Sequence, residues 1–318
     1  MKGRSVNDEL ATRYNKGIAD AISSNFAHFG TQKETSLALE KITFNDYHFY
    51  ASGRQNCLYA LIKYDLKKRQ CLFSSCTMEM IWTKKDLVHI EIPIKVPEYQ
   101  LADGAGASTS IPLEFMIARK KSLKEIYSQF AYLKNFVGAV NPTHYATSDK
   151  QANGLVVLAE SSEAANHLLN PQLGDVFSAL ADKYLDSVHI TDQKAYNNYP
   201  LWFKATLYLD ASSPKALQET SKLLKALFIL VDRVVSLRLS KDTRAKAEKN
   251  RKAVEKIKQK EKAEEKEEAT LAKKREEKLK FQEKLKSLPP DQQRKLEEKK
   301  REQDMNKLKK KMSKMMKH

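Results

Sequence analysis

Residues 241–318 contain 29 Lys or Arg against 16 Asp or Glu, no Gly, Cys, Trp or Tyr, and one aromatic residue, Phe281. A segment of this kind cannot bury enough apolar surface to offset the entropy of ordering a globular core. It is nevertheless rich in Lys, Glu, Arg, Ala, Leu and Gln, which lose least on entering a helix. An acid precedes a base by four residues at Asp242–Lys246, Glu248–Lys252, Glu276–Lys280 and Glu297–Arg301, the favourable order for pairing along a helix. The segment therefore reads as a long, solvated, basic helical arm growing from the end of a folded domain. Pro289-Pro290 must interrupt it, and Asp291 favours a fresh start beyond. A helix over residues 241–287 would extend about 70 Å. Sustained apolar heptads are missing, which argues against a stable two-stranded coiled coil.

Charge divides the chain at the same place. The arm holds +13 of the formal +17, leaving +4 on residues 1–240. Those residues suffice for a core without metals or disulfides, as one domain or as two lobes over 41–140 and 150–240. Cys57, Cys71 and Cys76 are odd in number and lack CxxC spacing, which suits a reducing compartment. The best apolar run, 223–235, is broken by Lys225, Asp232 and Arg233, and Met1-Lys2-Gly3-Arg4 opens directly onto a polar segment. The sequence as written predicts a soluble chain without membrane span or signal peptide.

Periodicity sketches the domain. Leu10, Tyr14, Ile18, Ile22 and Phe26 recur every four residues, predicting an amphipathic helix within residues 1–30, with Asn7 as its N-cap. Residues 48–53 and 57–66 predict a hairpin turning at Arg54-Gln55-Asn56. Over 86–96, Val88, Ile90, Ile92, Ile94 and Val96 form an apolar face at period two. Residues 71–80 fit a short helix or strand, and 102–110 is a loop of small residues. A strand over 113–118 and one helix over 120–137 follow. Then come a strand over 154–159, helices over 162–169 and 174–185, and strands over 187–191 and 201–209. The most apolar helix spans 213–239 and should be buried against the sheet, with the tail growing from its end. Strands and helices mix without strict alternation, so the fold class is α+β with a mixed or antiparallel sheet.

Catalytic patterns are missing: there is no GxGxxG, GxxxxGK[ST], HExxH or GxSxG. The seven histidines stand in unrelated contexts, Asp192-Gln193 carries no catalytic signal, and buried inert thiols outweigh a zinc reading for the cysteines. No cofactor or small-molecule substrate is implied. The positive excess is the one functional signal. A charge run is usually just a solvated face, yet a concentrated excess attracts phosphate polymers through counterion release. Lys241, Arg244, Lys246, Lys249, Arg251 and Lys252 form one cluster and Lys307, Lys309, Lys310, Lys311 and Lys314 another. Without interleaved aromatics, structured RNA read by its backbone or an anionic membrane surface fits better than single strands. The Met-Lys end equally resembles a calmodulin-type target helix.

Three stretches are more specific: Tyr50-Ala51-Ser52-Gly53-Arg54, Ser187-Val188-His189-Ile190-Thr191-Asp192-Gln193, and Arg238-Leu239-Ser240-Lys241 running on through Ala247-Glu248-Lys249-Asn250-Arg251-Lys252-Ala253-Val254-Glu255. In this order they resemble the calumin family, the coiled-coil-domain subunit of the PAT complex, over its cytosolic part. Upstream of that part, family members carry a signal peptide, an acidic lumenal segment and a transmembrane helix. The resemblance implies a non-enzymatic role in multipass membrane-protein biogenesis on the cytosolic face of the endoplasmic reticulum. It implies the Sec translocon, the ribosome and the small chaperone Asterix as partners, with a link to calcium handling. A general RNA-binding or nucleolar protein is the alternative.

Overall fold

The period-two face over 86–96 is realised as a strand, Leu87–Pro93, whose Val88, Ile90 and Ile92 are buried while Leu87, His89 and Glu91 alternate onto the other side. The computed structural model describes residues 2–30, 39–69, 85–95, 111–130, 132–145, 154–193, 199, 201–286 and 305. The elements predicted over 71–80 and 102–110 lie outside the described residues.

In chain order the elements are α1 (Lys2–Ser23), β1 (His28–Phe29), β2 (Glu40–Lys41), β3 (Asp46–Ser52), β4 (Ala60–Asp65), β5 (Leu87–Pro93) and β6 (Glu114–Arg119). After a single 3-10 turn, Lys120–Ser122, come α2 (Leu123–Gln129), α3 (Leu133–Phe136), β7 (Gly138–Ala139), β8 (Leu155–Ala159), α4 (Ser162–Leu168) and α5 (Pro171–Tyr184). The series ends with β9 (Leu185–Thr191), β10 (Trp202–Tyr208), α6 (Pro214–Val235) and α7 (Lys241–Lys286). Among the described residues all pairings are antiparallel, in one ten-stranded sheet of order β1-β3-β4-β5-β10-β9-β6-β8-β7, with β2 also on β3. The fold class is α+β, and the sheet runs unbroken through both halves of residues 1–240.

The main core lies on one face of that sheet. Tyr47, Phe49, Ile62, Tyr64, Ile90, Phe203, Val188, Ile190, Phe115 and Val157 meet Tyr14, Ile18 and Ile22 of α1, Phe177 of α5, and Leu223, Leu227, Phe228, Leu230 and Val231 of α6. Helix starts follow their local chemistry. Ser161, Asn170 and Ser213 accept hydrogen bonds from Ala164, Leu173 and Ala216, and Pro171 and Pro214 fill the first turns of α5 and α6. A second, smaller cluster covers the opposite face of β6 and β8, where Met116, Ala118 and Leu158 meet Leu133, Leu123, Ile126 and Phe130. Strand β6 is thus apolar on both sides, which explains its unalternating Phe-Met-Ile-Ala run.

Three expectations need correction. Asn7 does not cap α1 but sits buried inside it, its amide donating to the carbonyls of Phe44 (3.1 Å) and Lys67 (3.0 Å) while Arg69 donates to its oxygen (2.8 Å). The single helix expected over 120–137 is divided, because Phe130 leaves helical space (φ −123°, ψ 64°) and the chain restarts at α3. On either side of the interruption, Phe130, Tyr132 and Leu133 all pack on that cluster. The tail also does not extend the last core helix. Helix α6 stops at Val235, Leu237 tucks into the core at 4% exposure, and α7 begins anew after Ser240.

The chain divides into two compact units, Met1–Lys252 and Ala253–His318. Within the second, Lys280 pairs with Glu276 across one turn (2.7 Å), and Leu271, Leu279 and Met305 are exposed. Glu297–Arg301 and the Pro289-Pro290 break lie outside the described residues.

Candidate functional site

The first turns of α7 belong to the first unit, and polar contacts attach them to the end of the sheet. Ser240 stands at the helix start. Its N–H and hydroxyl both donate to Glu163 at the head of α4 (2.9 Å each), and the Thr243 hydroxyl adds a third bond to the same carboxylate (2.7 Å). These donors, Thr243 first, hold the Glu163 carboxyl below its ordinary range.

Three turns on, Arg251 reaches two acids brought together by topology. Its Nε donates to Asp192 at the end of β9 (2.6 Å), and its Nη1 donates to both oxygens of Glu160 after β8 (2.9 and 3.0 Å). The guanidinium also lies 5.4 Å from the ring centre of Phe136. Asp192 and Glu160 are nearly enclosed, their side chains 3% and 6% exposed. Burial pushes Glu160 up more than Arg251 pulls it down. Arg251 itself is pushed up: burial acts against its charge, but the bond and charge of Asp192, with Glu160, outweigh it.

Behind this pair lies Glu114, without exposed surface, which accepts from the Thr191 hydroxyl and faces His189 Nε2 at 3.3 Å. Two of the sequence stretches singled out above are therefore one structural site, since 187–193 supplies Asp192 and 238–255 supplies Arg251. The third supplies Arg54, which donates to the backbone oxygen of Asn25 (3.4 Å), that of Phe228 (3.3 Å) and the carboxylate of Asp232 (2.5 Å).

The expected phosphate-binding cations fare differently. Lys241, Lys246, Lys249 and Lys252 are exposed on the surface of α7. Arg244 is half-buried, with Glu248 at 3.7 Å. Arg251 is withdrawn into the carboxylate pair rather than facing solvent, because its chain position falls over Glu160 and Asp192. Lys307, Lys309, Lys310, Lys311 and Lys314 lie outside the described residues. Sequence reasoning missed Glu160, Glu163 and Asp192 as anchors of the helix.

Among the described residues, no group of three or more His, Cys, Asp or Glu is placed to hold a metal, and no helix is long and apolar enough to cross a membrane. Cys57 is buried, which pushes its thiol up to about 11 and keeps it protonated at neutral pH.

Fold and site together define a class: an antiparallel α+β domain that fastens the root of a basic helix. The chain belongs to the PAT complex subunit CCDC47 family, whose model matches residues 1–307. It is 24% identical over 276 residues to the PAT complex subunit CCDC47 of Danio rerio, covering 80% of this chain and 53% of that protein. The human PAT complex subunit CCDC47 is 24% identical over 282 residues, 80% of this chain and 54% of its own. An uncharacterized protein of Arabidopsis thaliana is 28% identical over 260 residues, 78% of this chain and 50% of its own. The chain thus spans about half the length of the curated relatives it matches.

Proposed function

We propose that this chain is a non-enzymatic adaptor in the biogenesis of multipass membrane proteins at the cytosolic face of the endoplasmic reticulum. Membership of the PAT-complex family supports that setting. The observation that carries the mechanism is the concentration of +13 in residues 241–318. Lys241, Lys246, Lys249 and Lys252, with Lys307, Lys309, Lys310, Lys311 and Lys314, would engage ribosomal RNA phosphates, releasing counterions without reading sequence. The sheet domain is then the part that meets the Sec translocon and an Asterix-like subunit. Calcium handling by the organelle would follow through the proteins whose assembly it assists.

The test is co-sedimentation with ribosomes at low and high salt. The chain of residues 1–318 should bind, and binding should fall steeply with salt. It should be lost in a variant of residues 1–318 with the five lysines from Lys307 to Lys314 and Lys249 and Lys252 changed to Gln. A chain ending at Lys252 should behave likewise; truncating earlier would remove the Arg251 contacts as well. Equal binding by native chain and variants would sink the arm mechanism. Equally tight binding to naked duplex RNA would favour the general RNA-binding reading.

A further inference from the structure

Residues 241–252 are fastened at two ends and thinly packed between. Glu163 holds the first end through Ser240 and Thr243, and Asp192 and Glu160 hold the other through Arg251. In between, Ala247 is the one residue buried as a hydrophobic side chain. Beside it opens a cleft of about 500 Å³ lined by Val137, Ala159, Ser161, Thr243, Lys246 and Asn250. Helix α6 makes the contrast within the same molecule. Along its length Leu223, Leu224, Leu227, Phe228, Leu230 and Val231 are all buried, so it cannot leave without opening the core. Segments with few buried apolar contacts open locally at a lower free energy than core elements, so a helix root held mainly by side-chain bonds can open while the core stays closed.

We propose that residues 241–252 form a clasped segment that opens as a unit, with Arg251 as its fastener. Release of the guanidinium from Glu160 and Asp192, followed by the bonds of Ser240 and Thr243 to Glu163, detaches about three helical turns while the ten-stranded sheet stays folded. Arg251 is thus a positioning residue, placed in a basic run yet used to hold that run to the domain.

Hydrogen exchange followed by mass spectrometry on the full chain tests this independently of ribosome binding. In Arg251→Gln, amides over 244–252 should exchange at least about ten-fold faster than in the native chain, with β9, β10 and α6 unchanged. Arg251→Lys keeps the charge but loses the two-carboxylate fork and should be intermediate. Glu163→Gln should accelerate the same segment from its other end. Unchanged exchange over 244–252 would overturn the proposal. So would acceleration spreading through β9, β10 and α6, because Arg251 would then support the core itself.

Discussion

Glu114 carries a carboxyl with no exposed surface, opposite His189 and Thr191. Burial raises its pKa more than the bonds from His189 and Thr191 lower it, and the charge of Asp192 adds to the rise. A carboxyl whose folded pKa lies above its unfolded one contributes stability that is full below the unfolded value and lost as pH rises through the folded one. Glu114→Gln keeps the shape and removes the ionisation. The melting temperature of the variant should therefore gain on the native chain as pH is raised from about 4 to about 8; a constant difference would show that Glu114 does not titrate within the fold. Arg54 is a second residue-scale case, 12% exposed and bound to α1's exit and to α6 at once. Arg54→Ala leaves the Phe228 carbonyl without that donor and removes the pair with the half-exposed Asp232, which water can solvate, at a cost of about 1–2 kcal/mol, readable from the urea midpoint at constant m-value. Neither role shows in the sequence. Arg54 was legible only as part of a turn, and Asp192 and Glu160 as ordinary acids, because they stand 59 and 91 residues from Arg251 in the chain. Only the order of the strands brings them to it.

Elements were more legible wherever a single face is buried. The stripe of Tyr14, Ile18, Ile22 and Phe26 and the alternation of Val88, Ile90 and Ile92 each encode one buried side, and both are buried as expected. Periodicity failed where two partners compete for one segment. Phe130 packs on the small cluster on β6 and β8, and Ser240 bonds Glu163 at the start of α7; neither contact leaves a periodic mark. Close approach of backbone is likewise invisible in periodicity. Gly174 lies inside α5, and a Cβ there would stand 2.0 Å from the carbonyl oxygen of His144. In a free helix Gly→Ala gains about 1 kcal/mol. Here Gly174→Ala must displace the chain at His144, so net destabilisation of about 2–3 kcal/mol is expected from overpacking. Thermal unfolding checks the sign, and a rise in melting temperature would mean that the 141–145 loop yields freely.

Across the whole molecule, charge segregation was the most legible property, since it depends on composition alone: +13 on residues 241–318 against +4 on the rest. What composition cannot tell is which cations are already engaged. Lys249 and Lys252 are exposed, whereas Arg251 between them is held by Glu160 and Asp192. A cation counts toward the salt dependence of polyanion binding only if it displaces counterions from phosphate, and each such contact contributes roughly one unit to the log–log slope. Lys309→Gln should therefore reduce the slope of ribosome affinity against salt by about one. Arg251→Gln should leave it unchanged, even though both substitutions remove one positive charge from the same basic tail. Filter binding over a salt series, with the two variants beside the native chain, measures this directly. Equal slope losses would mean that net charge alone governs the interaction and that Arg251 reaches phosphate despite its carboxylate partners.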